Sequence, residues 1–210
     1  MKTLECRGIT LSDKQTKICV PITGTDLEEI KEQAEKIANM NPDVVEWRAD
    51  FYDVKDNDET EFEQCLKAIN DNLKKIPIIY TYRTSNEGGE KSIDVDDYCR
   101  LCKYVSEISE KYNVAMIDVE LYENKDRKDI GKLLLDIKST GVKVIGSNHH
   151  FEGTPSEKDI FNVLKTMEEA GADICKIAVM PKEKVDVKTL INASKKANKE
   201  LNAPIITMSM

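Results

Sequence analysis

The sequence predicts an α/β protein: a (β/α)8 TIM barrel preceded by an N-terminal hairpin and ending after its seventh strand. Three observations lead there. Seven short runs rich in Val and Ile, at 18–22, 44–47, 76–82, 114–121, 142–145, 174–179 and 204–207, look like strands buried on both faces. A charged, amphipathic stretch separates each successive pair, which implies βαβ units and a parallel sheet. The strand starts recur about every 31 residues, the spacing of an eight-unit barrel of about 250 residues. A doubly wound open sheet is the competing fold. It is disfavoured because no G-x-G-x-x-G or G-x-x-x-x-G-K-[ST] loop occurs.

The elements follow in order. Residues 1–16, with turn signals at Gly8 and Ser12-Asp13-Lys14, read as a hairpin across one end of the barrel. The first helix, 26–40, opens on Thr25-Asp26 and gathers Leu27, Ile30, Ala34, Ile37 and Ala38 on one face. Further helices are expected at 59–73, 94–111, 129–138, 157–170 and 186–201. Thr154-Pro155-Ser156-Glu157 is the start signal of the fifth, and Gly141 and Gly171 stand where helix C-caps belong. The motif Cys99-Arg100-Leu101-Cys102 falls in a helix with no second pair, so it reads as ordinary helix residues. The whole chain, 1–210, reads as a single domain, about 40 residues short of a closed eight-stranded ring.

Composition narrows the class of function. The 210 residues are 40% hydrophobic and 33% charged, with 31 basic against 39 acidic side chains. A net charge of −8 argues against a nucleic-acid partner, which needs a basic face. No apolar run approaches the ~18 residues of a membrane span, and the N-terminus lacks a signal peptide's apolar core. A cytoplasmic protein with six free thiols is expected.

In a (β/α) barrel the reactive residues sit at the C-terminal ends of strands. There, Glu46 and Arg48 flank Trp47 and project to one side, as either an internal ion pair or a substrate clamp. Arg83 emerges from the third strand ahead of Glu87-Gly88-Gly89. Asp118 and Glu120 lie in the fourth strand and read as groups that orient a neighbour. The two histidines, His149 and His150, are placed just past the fifth strand, suited by their ordinary pKa to proton transfer. They do not form a zinc site, because adjacent side chains diverge and no ligand set follows. Lys176 stands between Ile174 and Ala178 in a run otherwise apolar. Burial, with Arg48 and Arg83 nearby, is expected to favour the neutral amine, a carbonyl nucleophile; a snorkelling lysine is the bland alternative. Met208 and Met210 read as an adaptable wall beside a ligand or as barrel filler.

Taken together these segments resemble the type I 3-dehydroquinate dehydratases. The resemblance rests on Glu46-Trp47-Arg48, Arg83 with Glu87-Gly88-Gly89, Ser147-Asn148-His149 before Phe151, and Thr154-Pro155. It continues through Lys176-Ile177-Ala178-Val179-Met180-Pro181 and Ile206-Thr207-Met208-Ser209-Met210. It implies that Lys176 forms a Schiff base with 3-dehydroquinate, that His149 transfers protons and that Glu87 orients it. Glu46, Arg48 and Arg83 would hold the substrate, with Met208 and Met210 packed near it. It further implies a homodimeric shikimate-pathway enzyme that uses no metal or external cofactor. The alternatives are another Schiff-base lyase of the class I aldolase type, and a truncated barrel that binds ligand without catalysis. Three departures from the family pattern are visible. The family's later arginine and Ser/Gln-containing loop have no counterpart, His150 replaces a usual aspartate, and Cys175 replaces a frequent proline.

Overall fold

The computed structural model describes residues 2–12, 14–53, 58–122 and 127–210. Strands β1 (Thr3–Cys6) and β2 (Ile9–Ser12) form the expected hairpin, paired Cys6 to Ile9. Its two-residue turn is Arg7-Gly8, at φ 39 and 82. Positive φ at both positions matches the right-handed twist of the flanking strands. Of the second turn signal, Asp13 lies outside the described residues.

Seven parallel strands follow: β3 (Cys19–Ile22), β4 (Val44–Arg48), β5 (Ile78–Thr81), β6 (Val114–Glu120), β7 (Lys143–His150), β8 (Ile174–Val179) and β9 (Ile205–Ser209). They are hydrogen-bonded in chain order, so each connection returns to the neighbouring position, as barrel topology requires. The sheet is curled rather than flat: the Lys176 nitrogen on β8 lies 3.7 Å from a Glu46 oxygen on β4, four strands away. Among the described residues β3 and β9 are its two edges.

Among the described residues six α-helices join the strands: α1 (Leu27–Ala38), α2 (Glu59–Leu73), α3 (Val95–Glu107), α4 (Lys128–Ser139), α5 (Glu157–Glu169) and α6 (Lys184–Glu200). Their starts follow local chemistry. Asp26, Asp58, Asp94 and Ser156 each accept a hydrogen bond from a first-turn N–H, and α6 opens with a Glu183–Asp186 capping box. Gly141 and Gly171, at φ 83 and 100, end α4 and α5 as their C-cap positions predict. Cys99 and Cys102 lie on α3, and all six cysteines are free thiols.

Period-2 alternation divides the strand side chains between two cores. Outward residues pack against the helices around Trp47, whose ring meets Phe62 at 5.7 Å and Tyr80 at 5.6 Å. Inward residues Val44, Ile79, Met116, Ile145 and Ile174 form the floor of the barrel, sealed from below by Cys6 and Ile9 of the hairpin. Above that floor the inward positions turn polar, and this layering corrects the predicted boundaries. β7 runs to His150 rather than ending at 145, and β9 reaches Ser209. The polar residues of β7 stay in register, Ser147 opposite Lys176 and His149 opposite Ala178. A polar run inside a parallel strand looks like a loop in sequence; here it supplies the upper layer of the barrel interior. Both histidines are therefore strand residues.

Candidate active site

The polar layer is built from inward positions of five strands. Lys176 is 7% exposed, and its Nζ donates to Asp118 Oδ2 at 3.0 Å. Asp118 is the hub: its Oδ1 accepts from Arg83 Nη2 at 2.8 Å and from Ser147 Oγ at 2.5 Å. Arg83 Nη1 also donates to Ser147 Oγ at 2.9 Å and reaches Glu120 at 3.3 Å and Glu87 at 3.5 Å. Thr84 holds Glu120 through its N–H and its hydroxyl, each at 2.7 Å. Glu46 accepts from Thr81 Oγ1 at 2.8 Å. This density of charge away from water is tolerable only because each ion faces an opposite charge and several donors.

His149 meets Glu87 at 2.9 Å through Nδ1, and Asn148 Nδ2 donates to the other Glu87 oxygen at 3.2 Å. With Arg83 also donating to Glu87, that carboxylate acts as acceptor. His149 therefore carries its proton on Nδ1 and keeps the Nε2 lone pair available. Two glycines shape the turn that carries Glu87. Gly88, at φ 80, closes a short 3-10 turn over Ser85–Glu87, and a Cβ there would lie 2.1 Å from the Phe151 ring. A Cβ on Gly89 would fall 1.8 Å from the Arg83 carbonyl oxygen, so the turn passes directly over β5's end.

The electrostatics differ from the simple reading of the residue types. Burial, reinforced by the Arg83 guanidinium, lowers the His149 imidazole from 6.5 to about 3, so it is neutral at physiological pH. Burial alone would raise the Asp118 carboxyl. Arg83 and Lys176, with the Ser147 hydroxyl, instead hold it well below the usual carboxylate range. Burial, opposed by Arg83 and assisted by Glu87, lifts Glu120 to about 7. Arg83 and Lys176 share the Asp118 carboxylate. Arg83 is bound to carboxylates, and Arg48 makes a two-pronged contact with Asp50 at 2.8 and 2.7 Å. The Lys176 nitrogen faces two carboxylates, Asp118 at 3.0 Å and Glu46 at 3.7 Å.

Sequence reasoning passed over Asp50, which is fully buried and receives hydrogen bonds from Arg48 and from two backbone N–H groups. Its signal was present, since Glu46, Arg48 and Asp50 continue one alternation beyond the strand. The methionines are placed less tightly: Met208 is 41% exposed and Met210 43%. Met208 lines a cavity of about 410 Å³ together with Lys176, Glu46, the floor residues Ile79, Met116, Ile145 and Ile174, and Lys2 and Leu11 of the N-terminal segment. Met210 is tied to Val179 by a backbone hydrogen bond of 3.0 Å. His150 and the Thr154-Pro155 pair line a separate shallow depression near α6's start. No group of three or more His, Cys, Asp or Glu side chains among the described residues is arranged to hold a metal ion.

The family model for type I 3-dehydroquinase matches residues 18–210. A 3-dehydroquinate dehydratase of Listeria monocytogenes serotype 4a is 38% identical, over 100% of this chain and 81% of its own length. One from Bacillus licheniformis is 42% identical, over 100% of this chain and 80% of its own. Among solved structures, the type I enzyme of Clostridium difficile with covalently modified comenic acid superposes with a TM-score of 0.92. It shares 36% identity and covers 100% of this chain and 81% of its own. The enzyme of Geobacillus kaustophilus gives 0.91 at 30% identity, over 100% and 79%. The match to that family model over residues 18–210, together with relatives 38% and 42% identical along the whole chain, places this chain in the type I 3-dehydroquinase family.

Proposed function

We propose that this chain dehydrates 3-dehydroquinate to 3-dehydroshikimate through a Schiff base on Lys176, as a step of the shikimate pathway. The observation that carries the reading is the buried Lys176 nitrogen, 3.0 Å from Asp118, with His149 on the neighbouring strand of the same polar layer. The α-proton of a ketone is too weakly acidic for a neutral imidazole to remove unaided. Attack of the Lys176 nitrogen on the carbonyl carbon, with loss of water, gives an iminium that takes up the electron pair released on deprotonation. His149 Nε2 removes the C2 proton to give an enamine. The enamine electrons then expel the C1 hydroxyl, which leaves as water with the proton His149 returns. Hydrolysis of the product imine frees Lys176. Glu87 holds the imidazole in the tautomer this requires. Glu46, Arg48 and Arg83 hold the substrate's hydroxyl and carboxylate groups, and Met208 and Met210 pack beside it.

The same reading includes a single-domain homodimer working in the cytoplasm. A net charge of −8 supports its having no nucleic-acid partner, and among the described residues no helix is long and apolar enough to cross a membrane. Borohydride reduction in the presence of 3-dehydroquinate tests the chemistry. The expected result is a covalent adduct mapped to Lys176 and absent from Lys176→Ala. Equal labelling of that variant, or carbon–carbon cleavage products in place of a conjugated enone, overturns the reading. Light scattering after size exclusion tests the dimer.

A further inference from the structure

Arg48 ends β4, and its side chain is 24% exposed beside the polar layer. A long cation at such a place samples many rotamers unless something holds it, and ordering it on binding would cost affinity. Asp50 holds it. One carboxylate oxygen takes Arg48 Nε at 2.8 Å and the other takes Nη2 at 2.7 Å, the planar fork that suits a guanidinium and not an ammonium. Phe51 covers the guanidinium carbon at 4.8 Å from its ring centre. The Nη1 amino group has no hydrogen-bond partner among the described residues.

The carboxylate itself is fixed by backbone, since Asp50 Oδ1 accepts from Arg83 N–H at 3.3 Å and Oδ2 from Glu90 N–H at 3.2 Å. Those donors come from β5's end and from the turn that carries Glu87. Asp50 is 0% exposed, so it can touch no substrate and acts only through its partners. We infer that Asp50 is a positioning residue: it presets Arg48, with one amino group left to bind the substrate, and locks that guanidinium to the Glu87 turn. The inference rests on the proposed role of Arg48 as a substrate ligand.

A double-mutant cycle on kcat and KM for 3-dehydroquinate tests it, using Asp50→Asn, Arg48→Ala and the pair. Asparagine keeps the shape of the side chain and accepts through one oxygen only. Asp50→Asn should raise KM about tenfold with kcat within about threefold, and should add nothing in the Arg48→Ala background. If Arg48→Ala leaves KM unchanged, the role of Arg48 is wrong. If Arg48→Ala raises KM while Asp50→Asn does not, or if the two effects multiply, Asp50 does not act through Arg48. A measurement on the unsubstituted protein covers the case in which Asp50→Asn fails to fold. The Arg48 Nε–H, one of five in the chain, should be resolved and slow to exchange before substrate is added. A rapidly exchanging Nε–H would refute the presetting.

Discussion

Lowering the pH should destabilise the protein through His149 in a way that one substitution removes. Its imidazole ionises near 6.5 in the unfolded chain and at about 3 in the folded one, because of burial and then the Arg83 guanidinium. Above pH 6.5 the group is neutral in both states, and its full contribution to stability is present. As the pH falls toward 3 the unfolded chain takes up a proton that the folded one refuses, so that stability is lost. Each unit is worth about 1.36 kcal/mol, so at pH 4.5 His149 should cost the fold roughly 2 to 3 kcal/mol relative to pH 8. The side chain is only 10% exposed, so solvent screening reduces this little. The assay is urea unfolding of the parent and of His149→Gln at both pH values; taking the difference between the proteins cancels the titration of other carboxylates. In parallel, the protein's two histidines give two imidazole signals by NMR, and that of His149 should not titrate between pH 5 and 8. A midpoint for His149 near 6.5, or an equal loss of stability in His149→Gln, would falsify the account of a neutral, desolvated base.

Three other expectations follow from the same geometry. Asp118→Asn leaves Arg83 and Lys176 without their shared counter-ion and should destabilise by about 3 kcal/mol or more on denaturant unfolding; a change below about 1 kcal/mol would show that the ions repartner freely. Trp47→Ala removes a fully buried ring packed between Phe62 and Tyr80 and should cost about 3 to 5 kcal/mol in the same assay, with wild-type stability contradicting the packing described. Gly88→Ala places a methyl group against Phe151 at a left-handed φ. It should lower both stability and activity, and Phe151→Ala in the same chain should recover part of the loss. If Phe151→Ala only adds to the damage, the contact is not what makes glycine necessary.

Much of the site was legible before folding, for reasons that can be traced to particular residues. Lys176 stood out because a cation in the run Ile174–Val179 has no place unless it is used. Glu46 and Arg48 stood out because polar residues two apart in a buried strand share a face. The histidines were noticed for their chemistry and placed one step wrongly. Ser147 to His150 carry no strand signal, and only their pairing with Lys176, Ile177, Ala178 and Val179 makes them β7. Asp50 was missed because one more acid after a strand, in a chain with 39 acidic residues, looks like solvated surface. The pairing of Glu46 with Arg48 as an internal ion pair was a reasonable alternative. The structure divides the two, giving Glu46 to Thr81 and Arg48 to Asp50.

Local pattern alone determined the alternation of strand and helix, the helix starts at Asp26, Asp58, Asp94 and Ser156, and the residue types gathered at one end of the sheet. These depend on neighbours a few positions apart, and such periodicities survive in a bare sequence. Tertiary structure decided which acid meets which base: Asp118 with Lys176 across 58 residues, Glu87 with His149 across 62, Asp50 with the backbone of Arg83 across 33. Those meetings depend on the curl of the sheet and the register of its strands. The charge state of His149 depends on them in turn, since it follows from how much water burial has removed and which cation was brought alongside.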